Sequence, residues 1–225
     1  MSLRYQLLCF IGRHELIFRA TYGIRGRYRH LVVSRASDLV IEGFPRCANT
    51  FAVLAFERAQ SCPLNVAHHL HAQAQIAMAI EWDVPILILI REPARAVASL
   101  ITRHPHITID QALRQYGQFY QYVHRHRDQL VIADFSEITT EFSAVISRLN
   151  NRFFANFGTY ENSQEEDAVV FSEIDQLNRE EENGNRMQLA RPSLQKRVRN
   201  DEMIKRVRTH PEMSAMQALY HVLVP

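Results

Sequence analysis

Two short clusters combine cations, hydroxyls and tight backbone in a way that suits anion chemistry. The first is Gly43-Phe44-Pro45-Arg46-Cys47-Ala48-Asn49-Thr50. Its Gly and Pro force a tight loop, and Arg46 sets a planar cationic fork inside it. The second is Arg91-Glu92-Pro93, with Ser99 eight residues after the Arg. Arg91 can fork onto a phosphate, and Ser99 lies about two helical turns further on, within reach of the same anion. Between them stand His68, His69 and His71, whose imidazoles can take a proton near neutral pH. Cations and hydroxyls beside tight backbone make phosphate binding the chemistry to expect.

The elements around these residues are written in the hydrophobic pattern. Leu39-Val40-Ile41 reads as a buried strand before the first loop, and Phe51, Leu54 and Ala55 follow it at helical spacing. A loop between strand and helix points its N–H groups, and the positive end of the helix, at one spot. Asn65 to His71 reads as a second strand, which would put His69 and His71 on one face. Gln73 to Glu81 reads as a helix. Val84 to Ile90 is apolar throughout, as a central parallel strand should be. Arg91 therefore sits at that strand's C-terminal end, where open α/β sheets bind ligands. Pro93 opens a helix through Ile101, and Thr108 with Gln111 forms a capping-box signature for a long aromatic helix to Val123. Leu130 to Asp134 reads as another strand, Ser136 to Leu149 as a helix, and 152–157 as a short strand or loop. The acidic stretch 160–185 reads as loop-rich, Pro192 to Val207 as a basic helix, and Met213 to Leu223 as a closing helix. Alternating strands and helices without a linker predict one α/β domain over 1–225, a three-layer parallel sheet with helices on both faces.

Composition narrows the classes. A net charge of +2 gives no overall field for nucleic acid. Cys9, Cys47 and Cys62 lack metal-ligand spacing, so no metal is expected and a reducing, cytoplasmic setting is. No apolar run reaches membrane-spanning length, and Leu7 to Ile11 is too short for a leader peptide. Residues 1–37 carry Arg4, Arg13, Arg19, Arg25, Arg27 and Arg29 against Glu15. That reads as one or two helices packed on the sheet with a solvated Arg face, or else as a peripheral contact with anionic lipid or glycan.

The first loop departs from the nucleoside-triphosphate loop G-x-x-x-x-G-K-[S/T]: Ala48 stands for its second Gly and Asn49 for its Lys. It resembles instead the G-x-P-[K/R]-[S/C]-[G/A]-[T/N]-[T/S] loop of sulfotransferases, whose cation follows the Pro, where Arg46 is. Arg91-Glu92-Pro93 with Ser99 resembles that family's R-[D/N/E]-P-x-x-x-x-x-S motif. The likeness to P-loop-type sulfotransferases of the prokaryotic style covers about residues 38–103. It implies a co-substrate, 3′-phosphoadenosine 5′-phosphosulfate, giving adenosine 3′,5′-bisphosphate. It implies a 5′-phosphate cradle from Pro45, Arg46, Cys47, Ala48, Asn49, Thr50 and Phe51, and a 3′-phosphate clamp from Arg91 and Ser99. The family's H-x-H segment places the general base at His71, with His69 the other candidate and Gln73 where Pro is usual. A late basic segment over the donor would be Arg191, Ser193, Lys196 and Arg197. The acceptor would be a hydroxyl compound, such as a glycan or a lipid-linked sugar. Two other readings suit the same pattern: a P-loop kinase or NTPase, with Asp134 as a metal-binding carboxylate, and a non-catalytic nucleotide-binding scaffold.

Overall fold

The computed structural model describes residues 3–22, 26–182 and 194–224. Four strands, β1 (Leu39–Gly43), β2 (Val66–His68), β3 (Ile86–Ile90) and β4 (Val131–Asp134), form one sheet in the order β2-β1-β3-β4. All three pairings are parallel; Val40 lies opposite Ile86, and Ile90 opposite Asp134. Every residue of β1 and β3 is buried, which is why Leu39 to Ile41 and Ile86 to Ile90 read as unbroken apolar runs rather than as alternation.

The helices follow in chain order: α1 (Leu3–Arg13), α2 (Glu15–Tyr22), α3 (Asn49–Arg58), α4 (Gln73–Glu81), α5 (Pro93–Arg103) and α6 (Ile109–Arg125), then α7 (Phe135–Thr140), α8 (Phe142–Phe153), α9 (Gln164–Glu182), α10 (Leu194–Arg208) and α11 (Met213–Leu223). α3 packs on β1, α4 on β1 and β3, and α7 and α8 on β4; α5 lies against α6, α10 and α11. Among the described residues no helix is long and apolar enough to cross a membrane.

Three local expectations change. β2 ends at His68, because His69 and His71 adopt left-handed backbone (φ 61° and 52°) that no strand can hold. The acidic stretch is helical, not loop-rich. α9 packs on α3 and buries Val170 and Ile174, one turn apart, while Arg58 reaches Glu166 and Glu173 (3.1 and 2.9 Å). The single helix expected over 136–149 breaks at Glu141 into α7 and α8. At the N-terminus, α1 and α2 pack on α4 and leave Leu3, Leu7 and Leu16 exposed.

Candidate functional site

Strand order locates the crevice. From β1 the chain runs outward to β2, then crosses back to β3 on the other side of β1. The connections after β1 and β3 therefore diverge, and the opening between their C-terminal ends is the switch point at which such sheets bind ligands. Both sequence clusters end there. Gly43 lets the strands close: a Cβ on it would stand 2.4 Å from the Leu89 carbonyl oxygen.

The loop from Phe44 to Ala48 is built to present N–H groups. Arg46 and Ala48 are left-handed (φ 75° and 68°) with Cys47 between them, the kind of alternation that turns successive N–H groups into an anion-binding concavity. Each such residue costs about 1–2 kcal/mol against ordinary backbone. α3 then starts with no side-chain cap and no acid in its first turn. Its first N–H groups and its dipole therefore have no side-chain partner within the helix start. Asn49, where a nucleoside-triphosphate loop has Lys, turns inward and donates to the Phe44 carbonyl (3.1 Å). Its Oδ1 is buried without a partner among the described residues.

Three cations surround this loop. Arg46 donates through Nε to Ser99 Oγ at 3.1 Å. Burial, then the neighbouring Arg103 and Arg91 guanidiniums, pull its pKa down to about 10, which leaves it charged at neutral pH. No carboxylate lies within ion-pair range of it among the described residues. Arg91 donates to the Arg46 carbonyl (3.0 Å), lies 4.0 Å over the Phe135 ring and keeps a buried Nε with no partner among the described residues. α5 runs beside the first loop, so Ser99 holds Arg46 and Arg91 braces the loop backbone; both residues of the expected clamp stand beside that loop.

The histidines are set by Glu42, the penultimate residue of β1, which the sequence reading did not single out. Its fully buried carboxylate accepts the amides of Leu70 and His71 (2.9 and 2.8 Å) and lies 3.4 Å from Gln75 Nε2. Burial raises its pKa to about 7, against the pull of those hydrogen bonds. These contacts hold the turn that makes His69 and His71 left-handed, so the two do not share a strand face. They differ in what they can do. His69 spends both ring nitrogens, Nδ1 on His68 (2.5 Å) and Nε2 on the Thr50 hydroxyl (3.1 Å). His71 donates from Nδ1 to the Gly43 carbonyl (2.7 Å), which leaves Nε2 as a lone-pair acceptor with no partner among the described residues. Burial lowers both imidazoles, His71 to about 4 and His69 to about 3, so both are neutral at pH 7.

Two tyrosines of α6 hold the two loops together. Tyr120, completely buried, donates to the Leu89 carbonyl (2.6 Å) and accepts the Phe44 amide (3.2 Å), with Cys47 Sγ 3.5 Å away. Tyr116 donates to the Arg91 carbonyl (2.8 Å). The signal available in the sequence was Tyr rather than Phe in a buried stripe, because a buried hydroxyl needs a partner. Side chains of the expected cradle divide accordingly. Cys47 is buried, its thiol pushed up to about 12, and Phe51 packs against Tyr160 and Phe171; both can offer the site only backbone. Pro45 is half-buried at the loop's outer turn. Arg191 and Ser193 lie outside the described residues. No protein-family model matches the chain, and a search of curated proteins finds no match.

Proposed function

We propose that this crevice binds a nucleotide by its phosphates and that the chain is a P-loop-type sulfotransferase with a three-layer arrangement. The donor would be 3′-phosphoadenosine 5′-phosphosulfate, and the acceptor a hydroxyl compound such as a glycan or lipid-linked sugar. The observation that carries this reading is Arg46. It is a charged guanidinium in a left-handed loop, before an uncapped helix, with like charges as its ionic neighbours. An arrangement with that much unanswered positive potential is stabilised by a bound anion.

The donor supplies a sulfuryl group carried on a phosphate. The chain's residues supply the rest. The loop N–H groups, the α3 N-terminus and Arg46 neutralise charge that grows on the phosphate they hold. Arg91, a second cation beside the loop, favours a donor that carries a second phosphate. His71 Nε2 takes the acceptor's hydroxyl proton, and Glu42 positions it through the backbone. The kinase reading fares worse. Asn49 folds back on the loop, and Asp134 has both oxygens occupied, by Ser136 (3.0 and 2.6 Å) and by Tyr220 (2.7 Å). Three free cysteines suit a reducing, cytoplasmic setting. The exposed Leu3, Leu7 and Leu16 near Arg4 and Arg13 suit a peripheral lipid contact, which co-sedimentation with anionic against neutral vesicles would test.

Thermal denaturation decides among the readings. At roughly a hundredfold excess over Kd, a ligand adds about 2.7 kcal/mol. For a chain of this size that is a rise in Tm of roughly 5–10 °C. Adenosine 3′,5′-bisphosphate without Mg²⁺ should give that rise, and adenosine 5′-monophosphate a smaller one. A rise only with ATP and Mg²⁺ would favour the kinase. Stabilisation by the bisphosphate with no transfer to any acceptor would favour a scaffold.

A further inference from the structure

We propose that Glu42 is the anionic partner of His71, its carboxylate stabilising the imidazolium that forms when His71 takes the acceptor's proton. This rests on the sulfuryl-transfer reading, in which His71 is the base. Glu42 Oε2 accepts the His71 amide at 2.8 Å and lies 3.8 Å from Nδ1 of the same residue's ring. Among the described residues no other basic side chain stands in ion-pair range of that carboxylate. Its register partner on β3 is the apolar Ile88. The surroundings suit a charged carboxylate. Leu70 and His71 donate their amides to it. Gln75 of α4 turns a donor to it as well. Its Oε1 accepts the Val33 amide (2.7 Å) and its Nε2 donates to the Leu31 carbonyl (2.8 Å), so Nε2 is the atom 3.4 Å from Glu42. A protonated carboxyl would carry an O–H with no acceptor among these partners. Burial opposes the charge, and the balance puts the pKa at about 7.

The transfer itself asks for that charge. His71 holds its Nδ1–H on the Gly43 carbonyl, so an incoming proton goes to Nε2. The acceptor's O–H bond breaks and its proton joins Nε2. The acceptor oxygen bonds to sulfur, and the bond from sulfur to the phosphate oxygen breaks, its electron pair staying on that oxygen. The ring is then a buried cation that faces Arg46, and both burial and Arg46 disfavour it. The His69 ring, 6.2 Å away, is neutral. An ionised Glu42 favours the cation, and a protonated Glu42 does not. The two groups therefore titrate as a pair. Below about 7 Glu42 keeps its proton, and the ring protonates near 4; above about 7 the carboxylate makes the ring a stronger base.

Nuclear magnetic resonance of the full chain, with ¹³C in the Glu carboxyls and ¹⁵N in the His rings, tests this. Both residues are assigned through the backbone. The Glu42 carboxyl carbon should titrate with a midpoint near 7, and the His71 ring nitrogens should move at that same midpoint and again near 4. Glu42→Gln should abolish the upper step of His71 and keep the lower one. It should leave the thermal shift given by adenosine 3′,5′-bisphosphate unchanged. If Glu42→Gln fails to fold, the coincidence of the two wild-type midpoints decides by itself. Glu42 titrating near its ordinary 4.5 overturns the proposal. So does Glu42 titrating near 7 while His71 stays still, and so does an upper His71 step that survives Glu42→Gln. A coupled pair with no thermal shift from the bisphosphate would uphold the pairing and overturn the sulfotransferase reading, along with the catalytic use of the pair.

Discussion

At the β4–α7 junction the chain caps its own helix. Asp134 accepts the Ser136 amide, Glu137 returns its carboxylate to the Asp134 amide (2.9 Å), and Tyr220 takes the remaining oxygen. Burial would raise the Asp134 pKa, but those hydrogen bonds outweigh it and hold the carboxyl below its ordinary value. At the β1–α3 junction, on the same edge of the sheet, none of this happens. Ala48 offers no capping atom, two residues are left-handed, and the nearest charges are cations. The same step from parallel strand to helix is closed by side chains in one place and left open in the other. Strain and charge left unanswered beside a junction that could have been capped are the grounds on which we propose a ligand there.

The sharpest way to break that comparison is Arg46→Ala. If the open junction serves an anion, kcat should fall by roughly 10²–10³, the scale of losing one preorganised charge-stabilising donor. Tm should hold or rise, because a part-buried guanidinium beside two others has been removed. A fall of several degrees would make Arg46 a structural strut. Next comes His71→Ala, expected to cost roughly a hundredfold in turnover while adenosine 3′,5′-bisphosphate still binds. His69→Ala should mainly lower Tm, since both its nitrogens are engaged in holding Thr50 and His68; the reverse outcome would move the base. Arg91→Ala should weaken the bisphosphate by about tenfold or more and adenosine 5′-monophosphate less, measured by calorimetry. Equal losses would confine Arg91 to bracing the loop. On the closed side, Asp134→Ala should cost about 0.5–2 kcal/mol in urea unfolding and leave nucleotide affinity alone.

The smallest effect is in pH. His68, His69, His71 and His104 all fall below their ordinary 6.5, chiefly through burial. Their neutral forms are favoured in the fold, so their contribution is full above 6.5 and is lost as pH falls toward about 4. Glu42 runs the other way: raised from 4.5 to about 7, it contributes fully below 4.5 and loses that as pH rises through 7. Glu57, also raised by burial and then by Glu173, acts in the same sense as Glu42, and four histidines against these two make stability climb between about pH 4.5 and 6.5, then ease slightly. Urea midpoints across that range check it, and a flat profile would mean the histidines are solvated. For turnover, the same burial moves the expected rise with pH from an ordinary histidine value to near 4 in the free enzyme.

What could be read in advance was whatever depends on neighbours in sequence. β1 and β3 announced themselves as apolar runs, Pro93 and the Thr108–Gln111 box marked helix starts, and the two clusters fell at strand ends. What could not be read depends on distant contacts. The His-His-Leu-His alternation mimics a strand, and only Glu42, about thirty residues earlier, bends it into a turn. The acidic run reads as a loop on its charge alone, yet Val170, Ile174 and Leu177 stand at helical spacing, and Val170 and Ile174 are buried with α3 alongside. That Ser99 also holds Arg46, 53 residues away, follows from the packing of α5 and not from any spacing in the sequence.

The three cysteines lie at three depths: Cys62 exposed, Cys9 half-covered and Cys47 wholly buried behind Tyr120. Cys47 is a residue of the loop itself, so an alkylating reagent can reach it only when that loop and Tyr120 part. Its labelling rate, beside the immediate reaction of Cys62, is thus a clock for opening events at the crevice. A nucleotide that bridges the loop and Arg91 would slow that clock by the factor with which it occupies the site, and would leave Cys62 untouched.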